Sequence, residues 1–126
     1  GCAPARLAYR RASFRRSRCL PIAACAATLS ALVRGDYAEH AAKVGAYMEA
    51  KLAKLPHVVE VRGRGLMLGC DLDDAAGDAH DIVARALAAG VVINATGAHT
   101  LRFLPPLVCE EADVDSLIEI LSGVLG

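Results

Sequence analysis

Apolar positions along most of this chain recur with two distinct spacings. Tyr37, Ala41, Val44, Met48, Leu52 and Leu55 follow in steps of three and four, the spacing of one helix face. Asp36 with Glu39 gives that helix a capping-box start, Lys51 and Lys54 suit its C-terminal end, and Pro56 stops it. In "HVVEVRGRGLMLGCDL" the β-branched run Val58–Val61 and the apolar run Leu66–Leu72 predict two strands around Arg62-Gly63-Arg64-Gly65. Asp78 caps a predicted helix over Ala79–Ala89, with Ile82, Val83, Ala86 and Leu87 inward and Gly90 as its stop. "VVIN" and "TLRFL" read as two further short strands. After Pro105-Pro106, the acids Glu110, Glu111 and Asp113 favour the start of a last helix. Its inner face carries Val114, Leu117, Ile118, Leu121 and Leu125. Upstream, the Ala-rich "PIAACAATLSALV" predicts a helix from Pro21 through Val33, closed by Arg34-Gly35. The order helix-helix-strand-strand-helix-strand-strand-helix predicts an α+β fold, a small mixed sheet with helices packed on it.

Length and charge sharpen this picture. At 126 residues the chain fits one domain with a real core. Its zero net charge is uneven: residues 1–35 carry seven Arg and no acid, so the remainder sets all 14 acids against seven bases. Residues 1–18, "GCAPARLAYRRASFRRSR", have no convincing period. A basic arm for nucleic acid, a transit peptide, a signal peptide leading into "CLPIAACAATLSALV" and an irregular tail all fit them. The chain begins with Gly1 rather than Met, which hints at a fragment, an odd gene model or a trimmed product.

The five Cys (2, 19, 25, 70 and 109) form no C-x-x-C pair and read as reduced, structural thiols of a cytoplasmic protein. His40, His57, His80 and His99 lack zinc-site spacing, so no metal site is expected. No apolar run reaches the ~20 residues of a membrane span.

Among the motifs, "GRGLMLG" resembles a dinucleotide fingerprint. That fingerprint needs a helix to open at once, so that backbone N–H groups meet a pyrophosphate. Here a strand continues, and Gly63 and Gly65 are expected to serve a tight turn. No G-x-S-x-G elbow or Walker loop occurs. There remains "INATGAHTLRFLPPL", in which Arg102 stands among Leu101, Phe103 and Leu104. A buried, unpaired guanidinium would cost several kcal/mol, so Arg102 needs a carboxylate. A surface acid beside the sheet or the carboxylate of a ligand would serve, since the planar fork binds either bidentately. The small polar "NATGAHT" reads as a loop able to line a pocket.

Taken together, "VRGRGLMLGCDL", "GVVINATGAHTLRFLPPLV" and the closing acidic helix resemble the C-terminal small domain of class III, fold-type I aminotransferases. The match is to the acetylornithine and ornithine branch, through the pattern G-x3-N-x7-R-x2-P-P-L, and runs from about Pro21 to Gly126. The resemblance implies a domain at 19–126 that includes a linker helix, after an irregular tail at 1–18. It places Arg102 where it meets a substrate carboxylate or a large-domain glutamate, with Asn94 and Thr96 in the adjoining wall. It further implies pyridoxal 5'-phosphate as cofactor, amino acids and 2-oxo acids as substrates (N-acetylornithine and 2-oxoglutarate, in arginine biosynthesis), a homodimer, and no nucleic-acid partner. The chain departs from the family in two ways. Its lysines, Lys43, Lys51 and Lys54, all fall on one amphipathic helix, so no catalytic residue is assigned and the chain alone is expected to be inactive. Where the family has an "HGSTFGG"-like segment, this chain reads "ASFRRSRCLPIA", as a GC-rich gene translated out of frame would. A non-catalytic module binding a carboxylate metabolite or a partner is the alternative reading, alongside a related ornithine- or 4-aminobutyrate-type enzyme.

Overall fold

The computed structural model describes residues 20–126. The expectations for residues 1–18, and for Cys2 and Cys19, lie outside the described residues. Residues 20–34 form helix α1, which belongs to a separate compact unit and is described by itself. It is helical as its Ala-rich composition predicts, and the Thr28 hydroxyl donates to the Ala24 carbonyl one turn back at 2.9 Å.

The second unit, Tyr37–Gly126, contains α2 (Tyr37–Leu52), β1 (Val58–Arg64), β2 (Met67–Leu72), a 3-10 turn (Asp74–Ala76), α3 (Ala79–Ala88), β3 (Asn94–Gly97), β4 (Thr100–Phe103) and α4 (Glu111–Leu125). The strands lie in the order β1-β2-β4-β3. Every pairing is antiparallel, so the α+β class holds while the sheet is antiparallel rather than mixed. The tight hairpins β1–β2 and β3–β4 fix two of the three pairings, because neither leaves room for the crossover a parallel pair needs, and β2 pairs with β4 in the same antiparallel sense across the connection that carries α3.

The strand period sorts the sheet into two faces. Leu68, Cys70, Leu72, Leu101 and Phe103 point inward and are buried. Helices cover that face: α2 packs on β1 and β2, α3 on β3 and β4, and α4 on both α2 and α3. Val44, Met48 and Leu52 of α2, Ala79, Ile82 and Ala86 of α3, and Val114, Leu121 and Leu125 of α4 complete the core. Within this unit no helix covers the opposite, polar face of the strands, whose residues Glu60, Arg62, Arg64, Asn94, Thr96 and Arg102 are exposed.

Three expectations are corrected. "VVIN" is not a strand: the Val91 N–H donates to the Ala86 carbonyl at 2.9 Å to close α3, and pairing starts only at Asn94. "NATGAHT" is not a loop, since its first four residues are β3 and Ala98-His99 is the turn into β4. Leu87 is 59 % exposed, because Ala86 faces the sheet and the next residue lies ~100° further round the helix.

One close approach fixes the packing of α2. A Cβ added at Gly45 would lie 2.1 Å from the Gly65 carbonyl oxygen. The mid-helix glycine therefore lets α2 rest directly on the backbone of the β1–β2 turn, where Gly65 has φ +56°.

Candidate functional site

Alternation along β4 answers the question posed by Arg102. Leu101 and Phe103 enter the core while Arg102, between them, stands on the open face and is exposed. Its charge stays in water, so the cost expected from its apolar neighbours does not arise.

The register then builds a row across the sheet. Arg62 lies opposite Gly69, Gly69 opposite Arg102, and Arg102 opposite Asn94. The next row brings Asp71 opposite Glu60 on one side and Thr100 on the other. Arg62 and Thr100 hold Asp71: Arg62 donates to it bidentately, its Nη2 reaching Oδ1 at 3.0 Å, and the Thr100 hydroxyl donates to Oδ1 at 2.7 Å. The Thr100 hydrogen bond, with the Arg62 charge behind it, holds the Asp71 carboxyl below the usual carboxylate range. Glu60 flanks Arg62 at 4.0 Å. Among the described residues no carboxylate lies within 4.0 Å of Arg102 or Arg64, so the surface-acid alternative finds no partner here.

Thr96 and Arg102 share a shallow recess of about 420 Å³ with Arg62, Arg64, Gly69 and Thr100. Asn94, across the strand from Arg102, adds an exposed amide beside it. All three residues singled out in the sequence thus meet on one surface. A larger groove of about 770 Å³, between the α3–β3 link and α4, is lined by Val91, Val92, Ile93, Phe103, Leu104 and Pro105 among others. The charged side chain that lines it is an acid, Asp113, whereas the recess is lined by Arg62, Arg64 and Arg102 with the hydroxyls of Thr96 and Thr100, the chemistry that orients an anion. Sequence reasoning missed Arg62, Arg64 and Asp71 as members of this surface. The alternation Glu60-Val61-Arg62-Gly63-Arg64 was the available signal, because it puts the charges on one face of β1.

The lysines do not fit the role of a covalent cofactor anchor, which needs an amine easily made neutral. Lys43 is exposed and lies 3.5 Å from Glu111. Lys51 lies 3.1 Å from Asp115, and its hydrogen bond to Tyr47 and that carboxylate push its pKa up, favouring the charged form. Lys54 is exposed on the turn that follows α2. No step through pyridoxal phosphate can be assigned to residues of this chain.

Of the thiols, Cys70 and Cys109 are buried and Cys25 is exposed, all three free. No helix among the described residues is long and apolar enough to cross a membrane.

Comparison with known proteins shows the family of the chain. The model of the class-III aminotransferase family matches residues 18–125. The acetylornithine aminotransferase of Caldanaerobacter subterraneus is 38 % identical over 110 residues, 84 % of this chain and 28 % of that protein. An acetylornithine aminotransferase of Bordetella bronchiseptica is 39 % identical over 106 residues, 81 % of this chain and 26 % of that protein. Among solved structures, Plasmodium falciparum ornithine delta-aminotransferase superimposes with a TM-score of 0.69 at 26 % identity, over 80 % of this chain and 27 % of that one. Lysine aminotransferase of M. tuberculosis gives 0.70 at 31 % identity, over 78 % and 23 %. The chain thus spans about a quarter of the length of the relatives it matches. By sequence and by fold, it belongs to the class-III aminotransferases, a family of pyridoxal-phosphate-dependent transaminases.

Proposed function

We propose that this chain supplies the substrate-carboxylate side of an acetylornithine-type aminotransferase, which moves an amino group between N-acetylornithine and 2-oxoglutarate. The observation that carries the reading is Arg102: a guanidinium on an open sheet face, beside Asn94 and Thr96, with no carboxylate partner among the described residues. A planar fork in that setting takes a carboxylate through two parallel N–H···O bonds and fixes its orientation. Asn94 and Thr96 offer neutral donors and acceptors that hold the same anion without competing for its charge. The names of the acetylornithine aminotransferases among the relatives favour N-acetylornithine as the amino donor. Homodimer assembly and a cytoplasmic setting come with the reading.

Bound pyridoxal phosphate supplies the electron sink of such a reaction. No lysine here suits its anchoring, so the chain alone binds and orients without catalysing.

The test transplants residues 37–126 into the matching part of the Caldanaerobacter enzyme. The chimera should transaminate N-acetylornithine, and Arg102→Ala should lower its kcat/KM by about 10- to 150-fold, the worth of one hydrogen-bonded charge contact. An Arg102→Ala chimera with unchanged kcat/KM refutes the carboxylate role. The unaltered chain, mixed with pyridoxal phosphate and desalted, should retain no visible absorbance.

A further inference from the structure

Arg62 and Arg102 stand in matching places around one acid. Each lies directly opposite Gly69, Arg62 on β1 and Arg102 on β4, with Asp71 two residues further along β2. Residues two apart on a strand share a face, so Asp71 is the diagonal neighbour of both arginines. Such diagonal pairs lie roughly 7–8 Å apart, within the reach of a long side chain. By register alone, either guanidinium is placed to take the Asp71 carboxylate.

The structure gives it to Arg62. That side chain donates to both Asp71 oxygens, and Glu60, on the same strand, flanks it at 4.0 Å. Gly69 makes the crossing possible. The Cγ and Nε atoms of Arg62 lie 3.8 and 4.0 Å from where a Gly69 Cβ would stand, so the arginine runs over ground that a side chain would fill. Towards β4, Asp71 meets a neutral donor instead of the second guanidinium: the Thr100 hydroxyl donates to Oδ1 at 2.7 Å. Arg102 is left with no carboxylate within 4.0 Å among the described residues. The choice bears on binding, because an acid rooted in the same sheet competes for Arg102 at every substrate concentration. An exposed ion pair favours its paired state by about 1.4- to 5-fold, so capture of Arg102 would raise the Kd of an external carboxylate about twofold to sixfold.

We propose that Arg62 is a positioning residue that keeps Arg102 free for a substrate carboxylate by holding Asp71, the acid that would otherwise pair with Arg102. The proposal rests on the carboxylate reading of Arg102. Within that reading it gives Arg62, Gly69 and Thr100 a shared task, although none of them needs to touch the substrate.

The test follows the Nε–H signal of Arg102 by NMR in the full 126-residue chain, alone and during titration with 2-oxoglutarate. In Arg62→Gln without ligand, that signal should move downfield as Arg102 pairs with Asp71. The Kd for 2-oxoglutarate should rise about twofold to sixfold in the same variant. Adding Asp71→Asn should return both readouts to their wild-type values. Adding Glu60→Gln instead gives the same net charge, but Glu60 lies on β1, two strands from Arg102, and its loss should recover neither. An unmoved Nε–H signal or an unchanged Kd in Arg62→Gln overturns the role of Arg62 and spares that of Arg102. Equal recovery in the two double variants does the same, since bulk charge then explains the loss. Arg102→Gln with the titration intact, or no titration in the wild-type chain, overturns the carboxylate reading and this proposal with it.

Discussion

Replacing Gly45 with Ala sets two physical effects against each other with opposite signs. Alanine exceeds glycine in helix propensity by ~1 kcal/mol, so α2 taken alone should gain stability. Packing says the reverse. The new methyl would lie 2.1 Å from the Gly65 oxygen, 2.4 Å from its carbonyl carbon and 2.8 Å from its Cα. All three are backbone atoms, so no rotamer change relieves the clash. Ordinary contact begins at 3.4 Å, which obliges the helix and the β1–β2 turn to part by more than 1 Å. Overpacking of this kind costs ~1–3 kcal/mol, and the upper end applies where backbone must move. The balance is a net loss of about 2 kcal/mol, or a fall in Tm of about 8–16 °C for a unit of this size. Gly123 provides the internal control. It lies within α4, a Cβ there meets nothing within 4 Å, and Gly123→Ala should raise stability by ~0.5–1 kcal/mol. Thermal unfolding followed by circular dichroism reads both variants. A Gly45→Ala chain as stable as the Gly123→Ala chain would show that α2 does not rest on the turn.

Other outcomes follow from the same architecture. Arg102→Ala should leave Tm within about 2–4 °C of the wild type, because the side chain is exposed and pairs with no acid among the described residues; a large fall would mean the arginine is structural. Burial pushes the Cys70 thiol up to about 11, and Cys109 is also raised by burial, so native-state alkylation at pH 8 mapped by mass spectrometry should modify Cys25 and spare both. The Asp71 carboxyl is held below its unfolded value, so its contribution to stability is full above about pH 4 and fades as pH falls through the lower folded value. Asp71→Asn should therefore narrow its stability gap to wild type under acid, and a gap that widens there would contradict the sign.

How far the sequence could be read depended on how each signal is encoded. The stripe Val44, Met48, Leu52 and the pair Val114, Leu121 were legible because helix periodicity is local and repeats over several turns. β3 was not, because Asn94-Ala95-Thr96-Gly97 has weak strand propensity and is extended only by its pairing with Thr100–Arg102. Arg102 was found as an anomaly among apolar neighbours, yet its exposure follows from the period of two once Leu101 and Phe103 are assigned inward. The Asp71–Arg62–Thr100 network spans three strands, so it exists only in the register and no local pattern announces it. Gly45 was equally silent: inside a helix it reads as a defect, and only the turn lying against it gives it a purpose.

Both outer strands of the sheet break step with their neighbours, β1 between Val58 and Glu60 and β3 between Ala95 and Gly97. A further strand, from another copy of the chain, would need a straight ladder of free amides and carbonyls to add to. β1 offers instead a bulged run edged with Glu60, Arg62 and Arg64, and β3 is four residues long. Among the described residues the sheet has four strands, and these irregularities make both of its edges poor templates for a strand from another copy. The sheet can then keep its cation-bearing face open without offering its edges to growth into aggregates.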